Sequence, residues 1–253
     1  MGYDIQKAGM WKRVAAWMLD AILLSVLAVG FAYLLSNILG YDAYGSTLDA
    51  AYARYETEYG VVFDITQEAY LAMDEAARQN YDAAYAALIA DQDAMYAYNM
   101  MMNLTLVVTT GGILLGIMLW EFMIPTWLGN GQTLGKKAFG LGLIREDGVQ
   151  MNNLQLFTRA LLGKFTIDTM IPVYILLMLF WGTIDLTGTL ILAALLLGQA
   201  ICVGVTPNNS AIHDLLAGTV VVDLSSQTIF RTREDLIEFQ KRAAAERAAR
   251  QIY

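Results

Sequence analysis

The chain has 253 residues, of which 57% are hydrophobic and only 16% are charged, and its formal net charge is −8. Soluble domains usually carry roughly 25% charged residues, so this composition argues against a soluble globular protein and indicates a membrane protein. The single cysteine, Cys202, excludes an intramolecular disulfide and a thiolate metal site. The sequence has no nucleotide motif or metal-ligand cluster, so we expect no cofactor, no metal ion and no nucleic-acid partner.

Apolar runs divide the chain and predict its spans. Four of them are long enough to cross a bilayer: residues 13–39, 99–124, 165–184 and 187–205. Pro172 predicts a kink or a late start in the third run, and a tight turn around Asp185 joins the third run to the fourth. The predicted fold class is an all-α polytopic membrane protein with about four transmembrane helices, a long acidic extracytoplasmic helical insertion between helices 1 and 2, and a small cytoplasmic β-hairpin or sheet.

The first run contains a carboxylate, Asp20, seven residues after Arg13. A carboxylate at hydrocarbon depth is costly, and proteins that retain one usually bury it against partners or line a polar path with it. Seven residues make nearly two helical turns, so these side chains share a face about 10 Å apart, too far for a direct ion pair. The candidate partners are Glu121, Asp168, His213 and Asp214. We expect Arg13 to pair with Glu121 or Asp214, and Asp20 is the leading candidate functional residue.

Residues 40–98 form an insertion with eleven Asp and Glu side chains. Asp64 and Gln67 have capping-box spacing, and no Gly or Pro follows up to residue 98, which predicts one helix that continues into the second span. Four tyrosines recur at intervals of eleven, four and eleven, which puts them on one helix face: Tyr70, Tyr81, Tyr85 and Tyr96. We favour a solvated acidic helical hairpin, and a vestibule that collects cations is the alternative.

The segment after the second span is basic and rich in turns. Lys136 and Lys137 lie in a stretch that lacks P-loop spacing, so we expect both lysines to contact lipid headgroups. Residues 141–145 and 149–151 flank an Asp-Gly pair, which predicts a β-hairpin. Residues 219–224 predict a third strand in the same small sheet. A solvated helix is predicted from about residue 233 to residue 252.

Lysine and arginine are concentrated before the first span, between the second and third spans, and in the tail, whereas the insertion holds only Arg54 and Arg78. With four spans, all three basic regions fall on one side. The positive-inside rule then predicts a multi-pass cell-membrane protein with both termini cytoplasmic. The predicted segments are the N-terminus with the first helix (1–39), the acidic insertion (40–98), helices 2–4 with the HDLLAGT segment (99–223) and the helical tail (224–253).

Three sequence blocks resemble the RDD family of membrane proteins. They are residues 8–20 (AGMWKRVAAWMLD), residues 131–137 (GQTLGKK) with 140–148 (GLGLIREDG), and residues 212–222 (IHDLLAGTVVV). The resemblance covers residues 8–39 and 115–223, in the family's order. It implies that Arg13, Asp20 and Asp214 are the arginine and the two aspartates that name the family. Glu121 also looks like a position where such proteins carry an acid.

Two features depart from the family's pattern. The acidic insertion is much longer than the usual loop between the first two spans, and four spans exceed the family's minimal core. Proposals for the family centre on transport, including cation/proton exchange. The resemblance therefore implies the fold more strongly than the activity.

Three classes of function follow. The first is a small-cation/proton transporter with Asp20 as carrier, surrounded by a polar network of Arg13, Glu121, His213 and Asp214. A four-span bundle is narrow, so this class includes a homo-oligomer with the lipid bilayer and small cations or protons as partners. The second is a non-catalytic adaptor or scaffold whose buried Arg/Asp network is only structural. The third, a membrane enzyme, is the weakest, because one histidine and no Ser/His/Asp set leave few ways to build an active site. We therefore expect that the protein is not an enzyme.

Overall fold

A computed structural model describes residues 5–180, 182–184 and 186–251. This part of the chain forms two compact units. One unit contains the described residues up to Val29 and those from Ile113 onward, and the other contains Gly30–Gly112. The turn predicted around Asp185 lies outside the described residues.

Helices make up most of the described chain. The elements in chain order are α1 (Met10–Leu39), α2 (Tyr41–Tyr59), α3 (Gln67–Ala72), α4 (Glu75–Ala90), α5 (Gln92–Ile117), α6 (Ile124–Leu128), α7 (Leu134–Ala138), β1 (Leu141–Arg145), α8 (Asn153–Thr158), α9 (Ile171–Phe180), α10 (Leu186–Val205), α11 (Ile212–Ala217), β2 (Thr219–Asp223) and α12 (Arg233–Gln251). Two π-helical segments, Met118–Met123 and Arg159–Met170, join α5 to α6 and α8 to α9.

Within the described residues, four helical stretches are long and apolar enough to cross a membrane. They are Met10–Leu39, Gln92–Leu128, Asn153–Leu179 and Leu186–Val205, with 30, 37, 27 and 20 residues. About 20 apolar residues suffice to cross the hydrocarbon layer, so each stretch is long enough. The prediction of four helices long and apolar enough to span a membrane is confirmed.

The third span begins earlier than residue 165, where the apolar run predicts its start. Its first residue is Asn153, because Asn152 and Gln155 form a capping box in which each side chain accepts a hydrogen bond from the other residue's backbone N–H. The helix then continues as the π segment and changes to α9 just before Pro172. The late start predicted from Pro172 is therefore wrong, and this proline lies where the helical geometry changes.

The predicted small sheet is confirmed, but its two strands are not those of the predicted hairpin. β1 pairs antiparallel with β2, and Leu143 lies opposite Val221. The segment 149–151 forms only isolated bridges after the predicted turn, one between Gln150 and Ile144 and one between Val149 and Phe230. β2 is the better partner for β1 because its valines are buried on both faces of the sheet, Val221 in one apolar cluster and its two neighbouring valines in another.

The unit Gly30–Gly112 contains α2, α3, α4 and the first part of α5. The uninterrupted helix predicted from residue 65 to residue 98 is wrong, because the chain leaves helical geometry at Met73 and at Asp91. The Asp74 side chain caps α4 by accepting from Ala77 N at 2.7 Å. Asp91 ends α4 and accepts from the first backbone N–H groups of α5. Aspartate caps helices well, so helices end here without Gly or Pro.

The four tyrosines form two groups in this unit. The Tyr70 and Tyr81 rings lie 5.4 Å apart between centroids, and Phe63 contacts Tyr81 and Tyr85 at 5.7 and 6.4 Å. Tyr96 follows the break at Asp91 and packs edge-on against Tyr44 at 6.1 Å. These edge-to-face contacts are the favoured geometry for aromatic pairs. The tyrosines thus pack on protein, in two places and not as one stripe.

Candidate functional site

Arg159 is the central cation of a buried ionic network. Its side chain is 2% exposed, and it donates from Nε to Asp214 Oδ1 at 3.0 Å and from Nη1 to Glu121 Oε2 at 2.9 Å. Arg159 begins one π segment, Glu121 lies in the other, and Asp214 lies in α11. A planar guanidinium has enough donors to hold two carboxylates at once, so one side chain joins three elements. π segments are rare and often coincide with functional sites.

Arg13 and Lys136 supply further positive charge to the same carboxylates. Arg13 Nη2 lies 3.5 Å from Asp214 Oδ2, and its Nη1 donates to the carbonyl oxygen of Asn209 at 2.6 Å. Asp214 is thus one of the two partners expected for Arg13. Burial alone raises the pKa of Asp214, but His213 and the neighbouring arginines outweigh it and hold that pKa well below its ordinary value.

The structure places Lys136 in the protein interior. Its Nζ lies 3.3 Å from Glu121 Oε2, and the side chain is buried. Burial lowers the pKa of Lys136, although the Glu121 carboxylate opposes this effect. The prediction that Lys136 contacts lipid headgroups is therefore wrong, because its ammonium group belongs to the buried network. Lys137 is exposed, and headgroup contact stays a prediction for it.

Asp20 is held by neutral donors. Its Oδ1 accepts from Trp120 Nε1 at 3.0 Å and from the backbone N–H of Gly135 at 2.8 Å, and its Oδ2 accepts from Thr133 Oγ1 at 2.5 Å. None of the four partners predicted for Asp20 contacts it; the predicted partners are themselves acids or a histidine, whereas a carboxylate needs donors. A Cβ added at Gly135 would lie 2.6 Å from both Cγ and Oδ1 of Asp20, so the glycine permits this close approach.

His213 connects the network to a second carboxylate, Asp168. Its Nδ1 lies 2.6 Å from Asp168 Oδ2, and its Nε2 lies 3.5 Å from Asp214 Oδ1. Gln199 donates to the other oxygen of Asp168 at 2.5 Å. Asp168 therefore has specific partners on α10 and α11. Burial lowers the pKa of His213, and the positive charge of Lys164 lowers it further.

These side chains line a cavity of about 560 Å³. Its charged lining residues are four basic groups, four acidic groups and one histidine: Arg13, Lys136, Arg159, Lys164, Asp20, Glu121, Asp168, Asp214 and His213. All but one of them have a hydrogen bond or an ion pair to a described residue. The exception is the side chain of Lys164, for which the described residues provide neither; only its backbone carbonyl accepts a hydrogen bond, from Thr169 Oγ1. The cavity therefore combines a paired ionic network with one cation that lacks a direct partner.

Sequence reasoning placed Arg13, Asp20, Glu121, His213 and Asp214 in a polar network, and all five line this cavity. It missed Arg159, which in the sequence is only one of several basic residues between the second and third spans. The sequence signal for Arg159 was its position in an apolar stretch, since its near neighbours in the chain are Phe157, Ala160, Leu161 and Leu162. A basic residue inside such a run is usually paired or snorkels to the interface.

The four spans and the buried network define a multi-pass integral membrane protein with a charged site between its helices. The model of the RDD family matches residues 7–218, and the chain therefore belongs to that family. A search of curated proteins and a search of solved structures gave no match.

Proposed function

We propose that this RDD-family protein exchanges small monovalent cations for protons across the cell membrane. The observation that carries the proposal is a single imidazole, His213, placed between the carboxylates of Asp168 and Asp214 in a cavity lined by residues of the four spans. Intramembrane ionisable groups are costly, and in transporters they commonly form proton relays and ion paths. The family's implied cation/proton exchange is consistent with this arrangement.

The hydrogen-bond geometry gives His213 two protonation states with different contacts. A neutral imidazole donates from one nitrogen only, so it donates from Nδ1 to Asp168 and leaves Nε2 without a proton. A proton added at Nε2 produces a second donor, directed at Asp214, and a positive charge beside Asp168. A cation held by Asp168 is then repelled and released. One proton enters as one monovalent cation leaves, so charge is conserved.

Asp168 is a better carrier than Asp20, the carrier favoured by the sequence. Asp20 accepts three hydrogen bonds from neutral donors of the protein, which satisfy its oxygens without an ion. Asp168 accepts from Gln199 and His213, and the second of these partners titrates. We assign cation binding to Asp168. Asp20 instead anchors the start of α7 through the backbone N–H of Gly135.

The test is ion flux into vesicles that contain the purified protein and a pH-sensitive dye. A pH gradient is imposed, and Na⁺, K⁺ or Li⁺ is added. We expect wild-type protein to move protons against at least one of these cations. Asp168→Asn should reduce this exchange to the level of empty vesicles, and His213→Gln should retain cation binding but lose proton coupling. Asp93→Asn, the same change at an exposed acid in α5, is the matched control and should keep wild-type flux.

Equal exchange by wild-type protein and Asp168→Asn would contradict the assignment of the carrier. Wild-type vesicles without flux for any cation in the panel would contradict the transport proposal itself. Thermal unfolding of each purified variant separates a lost activity from a lost fold. The cavity lies within one chain, so the proposal does not require a homo-oligomer, and oligomer formation stays a prediction.

A non-catalytic adaptor is the second candidate. It is favoured by one observation: eight of the nine charged or titratable groups lining the cavity already have protein partners, as expected if the network only fixes helix packing. In that case the acidic unit Gly30–Gly112 is the surface available to a partner. Absence of flux together with a co-purifying protein that is lost on deletion of residues 41–98 would support this candidate.

We also propose that both termini are cytoplasmic. The basic regions before the first span, between the second and third spans, and in the tail then share the side where positive charge is retained. A C-terminal fusion to a reporter that is active only in the cytoplasm should be active. A C-terminal fusion to a reporter active only outside the membrane should be inactive, and the opposite pair of results would contradict this orientation.

A further inference from the structure

The cavity continues as a cleft between α1, the third span and α10. Apolar side chains line its walls, among them Val14 and Leu24 from α1 and Leu195 from α10. Its volume of about 560 Å³ lies within the range of small-molecule sites, which is roughly 300–1,000 Å³. The ionic network described above lines only part of this cavity, so the apolar walls require a separate explanation.

The charged groups and the apolar walls lie at different levels along the helices. On α1 the lining runs from Met10 to Ser25, which corresponds to about 23 Å along the helix axis. Arg13 stands at the start of the apolar run, and Lys164 is the last basic residue before the apolar part of the third span. The charged end of the cleft therefore lies at the membrane interface, and the apolar walls extend into the hydrocarbon layer.

The cleft opens through the lipid-facing surface of the helices. Trp17 on α1 and Leu196 on α10 line it, and they are 60% and 62% exposed. Both residues belong to stretches that cross the membrane, so the surroundings of an exposed side chain there are acyl chains. A lipid molecule can enter from the side without crossing a polar region.

Lys164 supplies the charge that an occupant must match. It lines the cleft, and the residues that the structure describes give its side chain no hydrogen bond and no ion pair. The other basic groups there, Arg13, Lys136 and Arg159, are already paired with carboxylates. Lys164 interacts over a longer distance with the Glu121 and Asp168 carboxylates, but its ammonium group has no direct partner among the described residues and favours an anionic group over a zwitterionic or cationic one.

We propose that the cleft is a binding site for an anionic phospholipid of the surrounding bilayer. Its phosphate group contacts Lys164, and one acyl chain lies along α1 and α10 between Trp17 and Leu196. Basic pockets between transmembrane helices are a known way to bind anionic headgroups, and the apolar walls bury the chain. This inference goes beyond ion exchange, because it concerns a lipid and apolar walls that the exchange step does not use.

The test is lipid retention by the purified protein in native mass spectrometry. Phosphatidylglycerol and phosphatidylcholine with identical acyl chains are titrated separately into the detergent-solubilised protein. We expect tighter binding of phosphatidylglycerol, and Lys164→Gln should weaken it about fivefold, the effect of one lysine near a headgroup. Lys241→Gln, at an exposed lysine of α12, is the matched control and should bind like wild type.

A second variant tests the apolar walls without changing charge. Ala21→Trp places a large side chain in the cleft and should reduce retention of both lipids. The ion flux of this variant, compared with that of wild type, tests whether the ion path is a separate property. Equal affinity for the two lipids, or unchanged affinity in Lys164→Gln, would overturn the proposal. A protein dimer that retains no lipid and dissociates on Ala21→Trp would also overturn it, in favour of a second copy of this chain as the occupant.

Discussion

Replacement of Arg159 by methionine should lower the free energy of unfolding by about 3–5 kcal/mol, the typical cost of removing one partner from a buried ion pair. The reason is that Arg159 holds two carboxylates, Glu121 and Asp214, and both remain buried when the guanidinium is lost. The measurement is thermal or denaturant unfolding of the purified protein in detergent. Methionine keeps much of the side-chain length, so the change mainly removes charge and hydrogen bonds.

Two further variants test whether the loss of stability comes from the buried ion pairs of Arg159. Arg145→Met removes an exposed ion pair with Asp147 and should cost at most about 1 kcal/mol. The triple variant Arg159→Met, Glu121→Gln, Asp214→Asn removes these three charges but leaves Arg13 and Lys136 without their carboxylates, so it should stay less stable than wild type. A single Arg159→Met variant as stable as wild type would show that the network contributes nothing to folding.

Gly135→Ala should destabilise the protein by about 1–3 kcal/mol, the usual cost of overpacking a tightly packed site. The added Cβ would lie 2.6 Å from Cγ and Oδ1 of Asp20 and even closer to the carbonyl oxygen of Ala16. The start of α7, which contains Gly135, must then move away from α1, and this movement breaks the hydrogen bond from Gly135 N to Asp20. Unfolding in detergent measures the loss.

Gly198→Ala is the matched control for this substitution. Gly198 lies inside α10, and an added Cβ there has no atom within 4 Å. Alanine is the better helix former, so this variant should gain up to about 1 kcal/mol. Equal effects of the two substitutions would mean that the close approach at Gly135 does not constrain the fold.

The parts of this protein that are local in sequence could be predicted. Long apolar runs report the spans, because bilayer thickness fixes how many residues cross it. The β-branched stretch at Thr219–Asp223 reports a strand, and spacing limits Arg13 to partners on other elements, of which Asp214 is one. Each of these inferences uses a periodicity or a length that a single segment carries by itself.

The parts that depend on packing could not be predicted. Lys136 and Lys137 are neighbours in sequence, but only the former faces Glu121, and nothing in the sequence distinguishes them. Arg159 lies in a π segment, where the face that a residue occupies no longer follows the 3.6-residue period. Asp91 has no Gly or Pro beside it, so the break there depends on the hydrogen bonds that its side chain makes to the next helix.

The balance of charge around the cavity has a consequence for energetics. With His213 neutral, the four acidic and four basic lining groups sum to zero. A monovalent cation at Asp168 or a proton on His213 adds one positive charge to this sum, and a second excess charge in such a low-dielectric space costs several kcal/mol. Any traffic through it should therefore be electroneutral, with every incoming positive charge matched by a departing one, and its rate should be insensitive to the membrane potential.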